Sequence, residues 1–266
     1  MIDFISKRTW GPTPKYPTVL SIKPCKPGKL ISIAGPCAIE NEKQIKKIAS
    51  ILAKAGCGYI RGGAYRAGTY PPDNFGLDRN LMTMFCNVAK NYGLKSIIEI
   101  LDIRQLDTIL ADVLQVGARH MQDYALLTEL SKQKKPVILK RNMGATLDEF
   151  LGAAEYLVRG GKRNVMLCER GSSTHMNHVR WDLSISLIAT IKQMTGLPIL
   201  VDASHGTGRW DLVAPMTRAG IAAGADGYIA EVHPEPNKSL SDADQAIPLV
   251  CYPALHKRIQ RIWLNR

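Results

Sequence analysis

No run of apolar residues in this 266-residue chain approaches the roughly 18 residues that a membrane-spanning helix needs. The N-terminus, MIDFISKRTWGPTPKYP, also lacks the apolar core of a signal peptide. Hydrophobic residues make up 45% of the chain and charged residues 22%, which is ordinary for a globular protein in water. The sequence therefore predicts a cytoplasmic protein with no membrane partner.

Cysteine-pairing motifs are also lacking. No Cys-x-x-Cys pair occurs, and the chain is long enough to form a core without disulfides. The six cysteines are Cys25, Cys37, Cys57, Cys86, Cys168 and Cys251. We interpret them as reduced thiols, with Cys57 and Cys86 in the core because apolar residues surround both. Cys37 follows Gly-Pro at the end of an apolar run and is a candidate metal ligand.

Nucleic-acid-binding motifs are absent despite a formal net charge of +12. Basic residues cluster towards both ends of the chain, a pattern that can indicate a polyanionic partner. However, there is no zinc-finger spacing, no aromatic RNA-binding signature and no basic helix with interleaved aromatic residues. We therefore expect no nucleic-acid partner, and we expect part of the positive charge to bind an anionic small substrate.

The fold class follows from an alternation of short β-branched runs with longer amphipathic runs, which predicts parallel strands joined by helices. Eight strands are predicted at residues 30–34, 58–62, 95–100, 113–116, 136–140, 164–168, 198–202 and 227–231. Helix-like stretches lie between them at residues 41–56, 79–93, 146–161 and 180–196, and each ends in Gly, as helix C-termini often do.

Eight such units in one domain of this length predict an α/β fold of the (β/α)8 TIM-barrel type. A doubly wound open sheet is the alternative, but no Gly-x-Gly-x-x-Gly follows the first strand. We expect residues 1–29 to form an N-terminal extension, with a β-hairpin strand in TVLSIKP, and residues 30–266 to form the barrel.

Metal-ligand residue types fall at the ends of three predicted strands and in one loop beyond the last of them. They are Cys37, His205, Glu231 and Asp242. The C-terminal strand ends of a barrel open onto one face, so these side chains should converge. A thiolate, an imidazole and two carboxylates suit one divalent ion of Mn, Fe, Co or Zn. Taken singly, Cys37 could be a core residue, Asp242 a helix cap, and the neighbouring His233 a packing residue.

Cations form a second set at the same predicted face. The set comprises Arg61, Arg66, Arg119, Lys140 and Arg170. Such cations would repel one another without an anion between them. The set therefore predicts a substrate that carries phosphate and carboxylate groups, bound by forked guanidinium contacts.

These residues lie in segments that resemble the 3-deoxy-heptulosonate 7-phosphate (DAHP) synthases, specifically the short type without a regulatory domain. The segments are GPCAIE (35–40), VGARHMQD (116–123), VILKRNMGATLDEFLGAAEYL (137–157), NVMLCERG (164–171), LPILVDASHGTGRWDLV (197–213) and GADGYIAEVHPEPNKSLSDADQ (224–245). The resemblance runs from about residue 20 to the end and includes the sibling 3-deoxy-octulosonate 8-phosphate synthases.

The resemblance implies a barrel enzyme that condenses phosphoenolpyruvate with an aldose phosphate, most often erythrose 4-phosphate, and releases phosphate. It implies a metal bound by the four ligands above and phosphoenolpyruvate bound by the five cations, although Arg66 stands where the family usually has Lys. Direct roles in the chemistry are expected for Lys140, His205 and Cys37. A homo-oligomer, dimeric or tetrameric, is also expected.

The sequence departs from the family in the loop after the second strand, which usually reads Lys-Pro-Arg-Thr-Ser-Pro. Here Gly68 replaces the arginine that binds the acceptor phosphate, Thr69 is retained, and Tyr70 adds bulk. Erythrose 4-phosphate could still bind if Arg180 or Arg209 held its phosphate. Otherwise the acceptor could be a different or unphosphorylated aldehyde, or the chain could have lost catalysis.

Other classes of function remain open at this point. They are a non-catalytic phosphoenolpyruvate-binding regulatory barrel, a nucleic-acid-binding protein, and an aldolase with a Schiff base on Lys140.

Overall fold

Eight parallel strands pair in chain order, and the first also pairs with the eighth, so the sheet closes into a barrel. The structure is a computed structural model that describes residues 16–22, 28–64 and 78–266. The strands are β1 (Ile31–Gly35), β2 (Tyr59–Arg61), β3 (Lys95–Ile100), β4 (Val113–Val116), β5 (Val137–Lys140), β6 (Val165–Glu169), β7 (Ile199–Asp202) and β8 (Gly227–His233). The predicted (β/α)8 barrel is confirmed.

Helices surround the barrel. In the described residues they are α1 (Pro17–Ser21), α2 (Glu42–Lys54), α3 (Arg79–Asn91), α4 (Tyr124–Ser131), α5 (Leu147–Arg159), α6 (Ile185–Met194), α7 (Ala203–Thr207), α8 (Trp210–Ala222) and α9 (Tyr252–Leu264). A two-residue strand, β9 (Ile247–Pro248), pairs in parallel with the last two residues of β8. No helix in the described part of the chain is long and apolar enough to cross a membrane.

Local sequence signals set the helix ends. The Thr146 side chain accepts the Glu149 backbone N–H, and Glu149 in turn accepts the Thr146 N–H, which is a capping box at the start of α5. Asn41 caps the start of α2, where its side chain accepts the Gln44 N–H. Buried apolar residues recur along one face of both helices, so that face packs against the strands.

The core has two layers because strand side chains alternate between the barrel interior and the helices. The interior cluster is Ile33, Ile97, Val113, Ile138, Met166, Cys168, Leu200 and Ile229. Strand residues of opposite orientation, such as Ile98 and Leu139, join the larger layer under the helices. Cys57 is buried in this outer layer and Cys86 packs half-buried against it.

Three expectations need correction. Residues 18–21 of the segment predicted as a hairpin strand belong to helix α1, and the rest of that hairpin lies partly outside the described residues. Residues 180–184 precede α6 and are not helical. The connection between β3 and β4 contains a 3-10 turn, Ile103–Gln105, in place of an α-helix.

Candidate functional site

The four predicted metal ligands come together at the carboxyl ends of the strands. Sγ of Cys37 lies 2.9 Å from Oδ2 of Asp242, and ligand atoms of Cys37, Glu231 and Asp242 all lie within 4.8 Å of one another. Nε2 of His205 lies 3.2 Å from Oε1 of Glu231. One thiol and two carboxylates therefore share a common point, and the imidazole of His205 adjoins it through Glu231. Such a mixed set of N, O and S donors suits a transition metal.

Cys37 reaches this point because β1 and β2 approach closely where β1 ends. A Cβ atom on Gly35 would lie only 1.9 Å from the carbonyl oxygen of Arg61. Only glycine fits this contact. Pro36 follows, and the Gly63 N–H then donates to the Cys37 carbonyl at 3.0 Å. The Gly-Pro-Cys sequence thus turns the chain at the barrel mouth.

The other ligands are held by their own local contacts. Asp202, the last residue of β7, accepts the His205 N–H at 3.1 Å and so caps α7. Ser204 Oγ accepts the Glu231 N–H at 2.9 Å. Asp242 has a left-handed backbone, φ 51°, which is uncommon for a non-glycine residue and tends to occur at functional sites.

The Glu231 carboxylate connects the metal set with the cation set. Besides His205, it contacts Nη1 of Arg61 at 2.5 Å and Nε2 of Gln245 at 2.6 Å. Burial raises the pKa of the Cys37 thiol well above its usual value, and the negative charge of Glu231 raises it further, while Arg61 opposes both effects. A divalent cation at this point would favour the thiolate, because metal ions bind the deprotonated thiol.

A buried chain of contacts links Lys140, Asp202 and His205. Oδ2 of Asp202 lies 2.7 Å from Nζ of Lys140 and 2.8 Å from Nδ1 of His205. Burial opposes the ionisation of Asp202, but His205 and Lys140 together hold its pKa well below the usual value. With Nδ1 directed at a carboxylate, the Nε2 lone pair of His205 is the one oriented for a metal.

Four of the five predicted cations lie around the same cavity. Arg61, Arg119, Lys140 and Arg170 line it together with Arg180, Cys37, His205 and Asp242, and its volume is about 220 Å³. The fifth, Arg66, lies outside the described residues, as do Gly68, Thr69 and Tyr70. The acceptor loop is therefore not described.

Arg170 provides the clearest signal for an anion. Its side chain is 6% exposed, and its Nε and Nη1 atoms have no hydrogen-bond partner in the described part of the chain. The guanidinium carbon lies 5.7 Å from the ring centre of Trp181. Burial lowers the pKa of Arg170, and the nearby negative charge of Asp202 opposes this effect. Buried donors of this kind need an acceptor.

Arg209 is not part of this cavity lining. Its guanidinium is exposed and pairs with Asp211 at 2.7 Å, and it also contacts the His178 carbonyl. Arg180 does line the cavity, and its Nη1 lies 3.4 Å from Oδ1 of Asp242. Of the two arginines considered for an acceptor phosphate, only Arg180 is therefore near the metal ligands.

Sequence reasoning missed several residues of the site. Asp202, Glu99 and Trp181 either line the cavity or hold residues that do. Asp202 carried a usable signal, since an Asp three residues before a candidate ligand His is a typical helix N-cap. Glu99 accepts a hydrogen bond from Gln115 at 2.9 Å and had no comparable signal.

Comparison with known proteins agrees with this architecture. Residues 18–261 match the model of the DAHP synthetase I family. A Thermotoga maritima protein named phospho-2-dehydro-3-deoxyheptonate aldolase is 39% identical over 237 residues, which covers 88% of this chain and 70% of that protein. A Trichlorobacter lovleyi 2-dehydro-3-deoxyphosphooctonate aldolase is 28% identical and covers 88% of this chain and 92% of that protein.

Solved structures give the same result. A crystal structure of the Thermotoga maritima DAHP synthase superposes with a TM-score of 0.84 at 39% identity, covering 88% of this chain and 69% of that one. A truncated form of the synthase from the same organism also superposes with a TM-score of 0.84, at 35% identity, covering 93% of this chain and 96% of that one. The predicted resemblance and the predicted DAHP synthase-like transferase class are confirmed, and the chain belongs to the DAHP synthetase I family.

Proposed function

We propose that this chain condenses phosphoenolpyruvate with erythrose 4-phosphate at the cavity described above, giving DAHP and inorganic phosphate. The observation that carries the proposal is the position of buried Arg170, with its unsatisfied donors, in a cavity that also reaches Cys37, His205 and Asp242. A bound anion and a metal-polarised aldehyde would then be neighbours. The relatives' names support a seven-carbon or an eight-carbon product.

The donor set fits one divalent ion of Mn, Fe, Co or Zn. Cys37, His205, Glu231 and Asp242 offer one sulfur, one nitrogen and carboxylate oxygens, from two loops, helix α7 and strand β8. Mg and Ca fit less well, because they prefer oxygen ligands alone. When bound, the ion would supply Lewis-acid polarisation of the acceptor aldehyde, or acidify a water molecule.

The cations would bind and orient phosphoenolpyruvate. Arg170 and Arg119 line the cavity on the side of β4 and β6, and Lys140 lies between them at the end of β5. These groups would hold the phosphate and carboxylate, so that C3 lies against the aldehyde carbon. Fixing two reactants in this way removes much of the entropic barrier. The same charges offset the negative charge that the substrate retains during the reaction.

The C2=C3 π electrons of phosphoenolpyruvate form the bond from C3 to the aldehyde carbon, the aldehyde π bond breaks, and the aldehyde oxygen takes a proton. Water adds to the electron-poor C2 and loses one proton, which balances the proton taken by the aldehyde oxygen. The C2–O bond to phosphate then breaks, and the C2 hydroxyl gives its remaining proton to the departing phosphate as the keto group forms. Lys140 and His205 are the groups we propose for holding or moving these protons, because both contact buried Asp202.

The acceptor phosphate is assigned to Arg180 in this proposal. Arg180 lies at the cavity and near Asp242, whereas Arg209 is paired with Asp211. Acceptance of a different or unphosphorylated aldehyde is the second candidate, favoured by Gly68 and Tyr70 in the sequence. The cytoplasmic location and the homo-oligomeric state stay predictions.

An acceptor screen tests the proposal. The protein is stripped of metal, supplied with Mn, Fe, Co or Zn in turn, and incubated with phosphoenolpyruvate and a panel of aldoses and aldose phosphates. Phosphate release and the product mass are measured. We expect DAHP from erythrose 4-phosphate. If only another aldehyde gave a product, that aldehyde would replace erythrose 4-phosphate as the assigned acceptor. If no aldehyde gave a product although phosphoenolpyruvate and metal were demonstrably bound, the synthase assignment would be overturned.

A further inference from the structure

A second cationic cavity lies at the opposite end of the barrel from the candidate active site. It is formed by the loop between α4 and β5 and the loop between α5 and β6, and its volume is about 520 Å³. Both loops enter their strands at the amino ends, whereas the active-site loops leave the strands at the carboxyl ends. The cavity is largely open to solvent, and its size falls within the range of about 300 to 1,000 Å³ that is usual for small-molecule sites.

The two loops are tied to each other. Nδ2 of Asn164 donates to the Lys134 carbonyl at 2.8 Å, and the Lys162 ammonium donates to the Gln133 carbonyl. A Cβ atom on Gly160 would lie 2.6 Å from Oγ of Ser131, so glycine permits this close approach. The cavity therefore has fixed walls.

Three cations line the cavity, and none has a carboxylate partner in the described part of the chain. They are Lys134, Lys162 and Arg163. Lys162 is 5% exposed, so its ammonium is withdrawn from water and hydrogen-bonded only to a neutral carbonyl. Burial accordingly lowers its pKa to about 8. An unpaired buried cation is costly, and an anionic partner offsets the cost.

On an ordinary basic surface, lysine side chains are exposed to water or paired with carboxylates. The neighbouring Lys132 shows the ordinary case, because it is exposed and pairs with Glu129 at 2.6 Å. Lys134 and Arg163 are exposed as well, but they flank the buried Lys162 at one concavity. The group has the composition of a site for a compact dianion: one buried ammonium, one exposed guanidinium fork and one exposed ammonium.

We propose that this cavity is a second anion site, which binds the phosphate group of a small phosphorylated molecule. It is separate from the phosphoenolpyruvate site and does not depend on the activity proposed for that site. Phosphate suits the cavity because its three or more acceptor oxygens can be shared among three donors. The volume leaves room for the organic part of a sugar phosphate or a mononucleotide.

Calorimetric titration tests this assignment on the whole protein with saturating phosphoenolpyruvate present, so that the phosphoenolpyruvate site is occupied. Inorganic phosphate, ribitol 5-phosphate and adenosine monophosphate are the probes. None of them carries an aldehyde that could react with phosphoenolpyruvate, and the last two distinguish the two sources of the phosphate group. Lys134→Ala and Arg163→Ala change exposed residues and should fold normally. Lys132→Ala is the matched control, because Lys132 is on the same loop but outside the cavity lining.

We expect one further equivalent of at least one probe to bind, with affinity reduced about tenfold or more in Lys134→Ala and Arg163→Ala and unchanged in Lys132→Ala. Thermal denaturation of the variants should show unchanged folding. Binding that is unaffected by both cavity variants would overturn the proposal. Equally, binding of a single-stranded oligonucleotide with no binding of any small probe would overturn it in favour of a polyanion surface.

Discussion

Oδ2 of Asp202 lies 2.7 Å from Nζ of Lys140, and neither side chain is more than 4% exposed. The lysine predicted to act on the substrate is therefore held by a buried carboxylate that also orients His205. Removing the charge of Asp202 should disturb both residues while leaving the arginines of the cavity in place.

We predict that Asp202→Asn lowers kcat about 10- to 100-fold, as is typical when the residue that orients a metal-binding His is changed. Breaking a buried ion pair also leaves an uncompensated charge, so the free energy of unfolding should fall by about 3 kcal/mol. Steady-state kinetics and urea denaturation measure the two effects. Asp211→Asn, which removes an exposed partner of Arg209, should change neither. An unchanged kcat in Asp202→Asn would exclude the orienting role.

Cys37 is the only sulfur donor of the proposed metal site. We predict that Cys37→Ala abolishes tight binding of the metal and activity together, since an aliphatic side chain offers no donor. Metal content by mass spectrometry and phosphate release are measured on the same sample. Cys251→Ala removes an exposed thiol and should leave both unchanged. Normal metal affinity in Cys37→Ala would refute this ligand.

The predicted strands agree with the structure where an apolar run is bounded by polar or turn residues. The bounds predicted for β3 and β4 coincide with the observed ones, because Ile, Val and Leu residues favour a strand there even though Glu99 and Gln115 interrupt the apolar run. Helix α1 was predicted as a strand since its sequence is rich in β-branched residues. Its conformation depends on Glu155, which accepts the N–H groups of Thr18 and Val19. A contact across 136 residues leaves no local pattern.

The candidate site, like the fold, could be predicted from the sequence only in part. The ligands could be predicted because each lies near or beyond the carboxyl end of a strand, and strand ends converge in any barrel. The partners of those ligands could not, because they depend on side-chain geometry between strands. The contact of Arg61 with Glu231 joins β2 to β8, and the contact of Lys140 with Asp202 joins β5 to β7. Neither pair has a sequence spacing that would indicate it.

Glu40 and His233 hold the loop that carries Asp242. Oε1 of Glu40 lies 3.2 Å from Nε2 of His233 and accepts the Leu240 N–H at 3.2 Å. Nδ1 of His233 accepts the Glu235 N–H, so Nε2 is the atom that carries the proton and donates to Glu40.

We predict that Glu40→Ala weakens metal binding about 10-fold or more, because the Asp242 loop loses its anchor. The KM for phosphoenolpyruvate should stay unchanged at saturating metal. Metal titration followed by activity separates the two quantities. Glu42→Ala is the control, since Glu42 pairs only with exposed Lys46 in the described part of the chain. A rise in the KM for phosphoenolpyruvate at saturating metal would point to general disruption of the site instead.

Arg180 and Arg209 should differ in their contribution to binding of the acceptor phosphate. Loss of a charge-assisted contact to phosphate weakens binding by about 1.5 to 3 kcal/mol, so Arg180→Ala should raise the KM for erythrose 4-phosphate about 10-fold or more. Arg209→Ala should have little effect. Because Arg180 also contacts Asp242, metal affinity is measured in parallel and should not change. Equal effects of the two variants would remove Arg180 from its assigned role.

Burial of Lys162 should make the free energy of unfolding increase with pH in the alkaline range. Burial lowers its pKa from 10.5 to about 8. Between these two pH values the unfolded chain binds more protons than the folded chain, so stability rises with pH, and the cost of the buried charge is fully present below pH 8. We predict that Lys162→Met removes this dependence.

Urea denaturation at pH 7.5 and at pH 9.5, in a buffer without phosphate, compares the wild type with Lys162→Met and with the control Lys132→Met. The advantage of Lys162→Met over the wild type should be greatest at pH 7.5 and smaller at pH 9.5, because the wild-type lysine is then mostly neutral. The Lys132→Met difference should not vary in this way, since that side chain is exposed. If the stabilities of the wild type and Lys162→Met change in parallel with pH, burial does not destabilise the charged form of Lys162. The main electrostatic argument for an anion in the second cavity is then lost.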